Sequence, residues 1–193
     1  MSQFAIISTS HRSDSQSHRI AEYLNNTYFS SSADVIDLFA ADLPMWTGAT
    51  PPTPAVTDIQ KKLAEADGFV FVVPEWHGMA PAGLKNLFLW CGAAQFAHKP
   101  ALLVGVSASV GGAMVIAELR SSGYKNSRLL WIPEHLILRN VSDLWQGKDT
   151  ESDQYLGART AYAIDHLKTY ARVLAPERAA LCAGLEAYPN GMS

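Results

Sequence analysis

Three stretches of this chain gather residues able to bind or react, and each follows a short apolar run. The first is Thr9-Ser10-His11-Arg12-Ser13-Asp14-Ser15-Gln16-Ser17. Between a strand and a helix, such a stretch offers an anion the unpaired N–H groups and partial positive charge of a helix N-terminus. The hydroxyls of Ser10, Ser15 and Ser17 add donors, and Arg12 adds a charged fork. The chemistry suggested is the holding of a phosphate, although the same serines and Asp14 also suit an ordinary helix cap. Neither G-x-G-x-x-G nor a P-loop occurs there, which argues against a Rossmann dinucleotide site and a P-loop NTPase.

The second stretch runs from Pro74 to Asn86 and holds Glu75, Trp76, His77, Gly78 and Met79. A flat heteroaromatic ligand needs an aromatic neighbour and backbone N–H groups along its polar edge. Trp76 and a turn made possible by Gly78 can supply both. The third stretch, Gly105 to Gly112, comes close to the G-x-S-x-G nucleophile elbow, with Ser107 as the hydrolytic serine. Ser109 replaces the small final residue of that motif. Asp143 or Asp165 and His166 follow in the right chain order, but Asp165 and His166 adjoin on one predicted helix and point in different directions. Histidines 11, 18, 77, 98, 135 and 166 show no metal-ligand spacing, so no metal site is expected.

The elements that must position these loops alternate. Phe4 to Ile7, Ala33 to Leu38, Gly68 to Val73, Ala101 to Val106 and Leu129 to Leu138 read as strands, the last broken by Pro133. Helical spacing covers about Ser15 to Tyr28, Thr57 to Ala66, Leu84 to Trp90, Ala113 to Arg120 and Ser152 to Leu174. Pro44 to Pro54 contains four prolines, a glycine and three threonines, and reads as a loop. Near-continuous apolar strands separated by helices indicate an α/β, three-layer architecture with a parallel sheet covered on both faces. Ligands then sit beyond the carboxyl ends of the strands, where all three loops fall. The expected organisation is one domain over residues 1–176 and a partly disordered tail over 177–193.

Composition narrows the function. The net charge of -3 gives no field for nucleic acid or an anionic membrane. No apolar stretch reaches the ~18 residues a membrane helix needs. The two cysteines form no CxxC pair. These features describe a cytoplasmic protein.

With these residues the chain resembles the NADPH-dependent FMN reductases of the flavodoxin-like fold, which include quinone, azo-dye and chromate reductases. Their first motif, Gly-Ser-x-Arg-x-x-Ser, is matched by Ser10, Arg12 and Ser15, with Thr9 where glycine is usual. The second, Pro-Glu-Tyr-Asn-Gly-Ser-x-Pro-Gly-x-Leu-Lys-Asn, is kept at Pro74, Glu75, Gly78, Pro81, Leu84, Lys85 and Asn86. It departs at Trp76, His77, Met79 and Ala82. The third is a glycine-bearing loop after the fourth strand. The resemblance implies a five-stranded sheet in the order 2-1-3-4-5 and bound FMN. Ser10, Arg12, Ser15, Gln16 and Ser17 would hold its phosphate. Pro74, Glu75, Trp76, His77 and Gly78 would lie along the isoalloxazine, with Ser107, Gly111 and Gly112 on its other side. Pro81, Lys85 and Asn86 would be structural.

It also implies NADPH or NADH as hydride donor, a small-molecule acceptor (quinone, azo compound, metal oxyanion or free flavin), and a homodimer or homotetramer. No side chain acts as acid, base or nucleophile; the protein orients and tunes the ring. His77 could place a cation near the ring and stabilise its reduced anion. A non-catalytic FMN electron carrier is the alternative of the same fold. Met45 and Trp46 could roof the flavin or simply pack. Trp131, Trp145, the apolar residues of the last strand and Leu87, Phe88 and Leu89 suggest a self-association face.

Overall fold

A computed structural model describes residues 2–190. Five parallel strands form one sheet in the order β2-β1-β3-β4-β5, as the resemblance implied. They are β1 (Phe4–Ser8), β2 (Asp34–Asp37), β3 (Gly68–Pro74), β4 (Pro100–Val106) and β5 (Leu130–Leu138). Pairing Ser8 with Val72, Pro74 with Val106 and Val106 with Leu138 brings their carboxyl ends to one edge.

The central strands are apolar without alternation because each face meets its own helical layer. Phe69, Phe71 and Val73 of β3 turn to one side with α3 (Pro54–Glu65), α4 (Ala82–Trp90), the short α5 (Ala93–Phe96) and α6 (Ala113–Arg120). Val70 and Val72 turn to the other, against Ile20, Ala21 and Leu24 of α1 (Gln16–Tyr28) and Ile164 and Leu167 of α7 (Glu151–Leu174). The single-turn α2 (Leu38–Ala41) follows β2. The helices start where sequence signals place them. Ser15 caps α1 by accepting the His18 N–H, Thr53 caps α3 just before Pro54, and Thr150 and Asp153 form a reciprocal capping box on α7.

Pro133 does not end β5. The strand lies at the sheet edge, where a missing N–H is tolerated, and its register with β4 shifts between Ala101 and Leu103. Arg120 fills the irregularity, its Nη2 donating to the carbonyls of Ile132 at 3.0 Å and Pro133 at 2.7 Å. Most of the apolar surface assigned from sequence to self-association is internal. Leu87, Leu129, Ile132, Leu136 and Leu138 are buried, and Trp145 stacks on Tyr23 at 4.4 Å; Leu89 and Leu130 remain exposed. The tail carries a 3-10 turn (Ala175–Glu177) and α8 (Arg178–Cys182), and Arg128 donates to the Tyr188 carbonyl. Residues 191–193 of the expected disordered segment lie outside the described residues. Among the described residues no helix is long and apolar enough to cross a membrane.

Candidate functional site

The loop after β1 leaves the sheet with Thr9, whose N–H and hydroxyl both donate to the Val72 carbonyl at 3.0 Å. A glycine could make only the first of these bonds, so Thr9 fastens the loop to β3 more firmly. Ser10 Oγ then accepts the Arg12 N–H, and Asp14 takes a positive φ of 49° that swings the chain into α1. Ser15 is the cap of α1. The N–H groups of Gln16 and Ser17 in its first turn meet no acceptor among the described residues, and Ser17 is a buried residue whose hydroxyl makes no hydrogen bond there. Arg12 has no acidic partner within ion-pair distance among the described residues. Its guanidinium instead lies 5.9 Å from the Trp76 ring centroid, and the His11 ring meets Trp76 edge-on at 4.8 Å. Open N–H donors, an uncommitted hydroxyl and an unpaired cation therefore belong to one loop and the helix start that follows it.

The second loop makes a two-residue turn. Trp76 and Met79 exchange N–H···O bonds of 3.1 and 2.9 Å around His77 and Gly78, whose φ values are +53° and +74°. Positive φ at both central positions is the type I′ signature. Histidine tolerates that region better than most residues, as asparagine does, so the departure at His77 keeps the backbone of the motif. His77 and Met79 are exposed. Glu75, expected along the ligand, sends its carboxylate to α6, accepting the N–H groups of Met114 at 2.8 Å and Val115 at 3.4 Å.

The third loop folds back onto the end of β4. A Cβ at Gly105 would stand 2.3 Å from the Gly112 carbonyl oxygen, and Gly112 holds φ +97° beneath Ile137. These glycines are required by close backbone approach rather than by a nucleophile elbow. Ser107 Oγ accepts the Ser109 N–H, and no histidine bonds to it among the described residues. Asp165 lines a cavity with Ser2 and Phe4 at the amino end of β1, away from Ser107, and His166 stacks on Tyr162. The hydrolase arrangement is absent from the described residues.

A cavity of about 300 Å³ joins the first two loops. That volume is at the small end of the ~300–1,000 Å³ usual for ligand pockets. Of the residues expected from sequence, Ser10, Arg12, Ser15, Gln16, Ser17, Pro74, Glu75 and Trp76 line it. His77, Gly78, Ser107, Gly111 and Gly112 do not, and belong to the turn and loop that frame it. Ser13, Asp14, Val106, Ala108 and Val141 line it without having been singled out. Val141 belongs to a fourth loop, after β5. It is held there by its N–H to Ser107 O at 3.1 Å and by Arg19 Nη2, which donates to its carbonyl at 2.6 Å. The signal that could have found it is its position just past the end of the fifth strand.

The motif residues after the turn hold the surrounding elements together. Lys85 pairs with Glu118 of α6 at 2.7 Å. Buried Asn86 accepts the Trp46 N–H and donates to Pro44 O, where Trp90 Nε1 also donates. This pins the proline-rich loop to α4. The Trp46 ring lies beside Gly48, and neither Met45 nor Trp46 lines the cavity. Burial pushes the Cys91 thiol up to about 12, which makes it inert.

The family described as NADPH-dependent FMN reductase matches residues 2–143. The chain is 29% identical over 119 residues to "NADH-dependent flavin reductase subunit 2" of Lactobacillus johnsonii, a match covering 58% of this chain and 64% of that protein. It is 25% identical over 157 residues to "NADPH azoreductase" of Bacillus sp. (strain OY1-2), covering 77% and 84% respectively. Among solved structures, an oxidoreductase from Corynebacterium diphtheriae superposes with a TM-score of 0.72 at 17% identity, over 92% of this chain and 98% of that one. At that identity the likeness shows the fold alone.

Proposed function

The chain belongs to the NADPH-dependent FMN reductase family, and from that premise we propose that it binds FMN at the carboxyl edge of its sheet and reduces a small-molecule acceptor with NADPH or NADH. The observation that carries the proposal is that Arg12, Gln16 and Ser17 line one cavity while the Arg12 cation, the Ser17 hydroxyl and the N–H groups of Gln16 and Ser17 lack a hydrogen-bonding or ion-pair partner among the described residues. That donor set fits a phosphate dianion. Trp76, Val106, Ala108 and Val141 line the same cavity and suit the apolar part of a flavin.

In this assignment Ser10, Arg12, Ser15, Gln16 and Ser17 surround the phosphate. Pro74 and Trp76 pack beside the ring, and the His77–Gly78 turn meets its polar edge. Ser107, Gly111 and Gly112 shape the opposite wall. Bound flavin supplies an N5 that takes hydride from the nicotinamide and passes electrons on. The chain itself binds, orients and excludes water. Met79, Val110 and Met114 are exposed on the turn, the third loop and α6, an apolar rim that favours flat acceptors such as quinones and azo compounds over metal oxyanions. A homodimer or homotetramer in the cytoplasm is part of the same proposal.

Steady-state oxidation of NADPH or NADH by the FMN-loaded protein, with and without a quinone, tests it. Quinone-dependent turnover at a rate of order 1 s⁻¹ or more, within the usual enzymatic range, is expected. Bound FMN without turnover would identify an electron carrier instead.

A further inference from the structure

Two carboxylates tie the second loop to α6 from opposite directions. Glu75, immediately before the Trp76–Met79 turn, caps the start of α6 through the N–H groups of Met114 and Val115. One turn further along α6, Glu118 reaches back: its Oε2 accepts the N–H of Ala80 at 2.7 Å, and its Oε1 pairs with Lys85 Nζ at 2.7 Å. Ala80 is the residue immediately after the turn. The turn is thus bracketed, one carboxylate leaving the loop before it and another arriving after it. A Cβ at Gly111 would come within 2.6 Å of Glu75 Oε1, so the third loop closes over the first carboxylate and keeps it in place.

The turn needs such support. Its own bonds are the two between Trp76 and Met79, its centre holds two residues at positive φ, and His77 and Met79 are exposed. An isolated two-stranded hairpin is marginal in water. Burial pushes the Glu118 carboxyl up, but Lys85 and the Ala80 N–H together hold it below the usual carboxylate range. It therefore remains an anion at neutral pH, when both of its contacts are at their strongest.

We propose that Glu75 and Glu118 are positioning residues, a reciprocal clamp that fixes the Trp76–Met79 turn on α6 in the geometry that meets the flavin ring. The inference rests on the FMN assignment above. It makes the ring's grip and the phosphate's grip separable: the clamp governs the first, and the α1 loop the second.

The test uses the full chain with Glu118→Ala and, as the size-preserving variant, Glu118→Gln. Amide hydrogen exchange is first measured without flavin. Exchange at Met79 and Ala80 is expected to accelerate about 10- to 100-fold in Glu118→Ala, as a lost hydrogen bond to a charged group implies. Glu118→Gln should fall between, and the amides of β3 and β4 should be unchanged. FMN and riboflavin are then titrated in parallel. Both should weaken by the same factor, about 10-fold, because they share the ring and differ in the phosphate. Unchanged exchange at the turn overturns the clamp, as does acceleration spread evenly over the sheet or weakened binding of FMN alone. Wild-type protein that binds neither flavin contradicts the FMN assignment instead, and the exchange experiment still decides whether the clamp exists.

Discussion

At the amino end of the strands, cations and acids find partners inside the chain. Lys99 donates to the Leu63 and Ala64 carbonyls at the close of α3, at 2.8 and 2.7 Å. Asp67 accepts from Arg178 and from the Gln3 N–H, and Lys168 donates to Tyr28 O at 2.6 Å. At the carboxyl end, exposed Arg12 has no acid partner and the Ser17 hydroxyl no hydrogen bond among the described residues, and Arg12, Gln16 and Ser17 line a cavity. The same kinds of group close the fold at one end and stay open at the other. Polar groups without a protein partner along a cavity stay available to a ligand. The rim also contains its own reinforcements, the Thr9 hydroxyl on Val72 O and the Glu75 and Glu118 contacts to either side of the turn.

The sharpest way to break this contrast is to let the open end collapse. Gly105→Ala puts a methyl into the Gly112 carbonyl, where neither backbone can yield cheaply. A loss of at least about 3 kcal/mol in urea unfolding is expected, with flavin binding abolished. An alanine that folds and binds normally would show that the third loop has room the structure denies it. Next in size is Arg12→Ala. Removing a charge-assisted contact should cost about 2 kcal/mol, or roughly 30-fold in FMN affinity, while riboflavin affinity moves by less than about twofold and thermal stability stays put. Comparable losses for the two flavins would move Arg12 from the phosphate to the ring.

The smallest effect belongs to the closed end. Burial, aided by Arg178 and opposed by Asp67, lowers the Lys99 ammonium from 10.5 to about 8. Between those values the unfolded chain binds more protons than the folded one, so stability rises with pH across that window. Urea midpoints at pH 8 and pH 10 should rise in wild-type relative to Lys99→Met, in which the group is absent. A parallel response in the two proteins would show Lys99 titrating as it does in water.

Much of the rim was legible in the sequence because its signals are local. Ser15 as a cap, Gly78 in a turn and the spacing of Ser10 and Arg12 depend on neighbours a few residues away, and strand order followed from the same motifs. What was not legible depends on contacts across the fold. Glu75 reads as a ligand-facing residue, and that it also caps α6, some forty residues on, depends on a contact across the fold. Val141 lines the cavity because β5 ends level with β4. Leu129 to Leu138 looked surplus because one strand was credited with too little burial; α7 covers one face, and on the other Trp131 and Ile137 pack against the core cluster that includes α6. Pro133 signalled a break where an edge strand needed only a shift of register repaired by Arg120.

The central claim is that the carboxyl edge holds FMN by its phosphate through the open first loop. Titrating the flavin-free protein with FMN and with riboflavin, followed by quenching of flavin fluorescence, tests it directly. Saturable binding of FMN at one site per chain is expected, with an affinity at least about tenfold above that for riboflavin, the contribution of charged hydrogen bonds to a phosphate. Equal affinities for the two, or no binding of FMN, would contradict it.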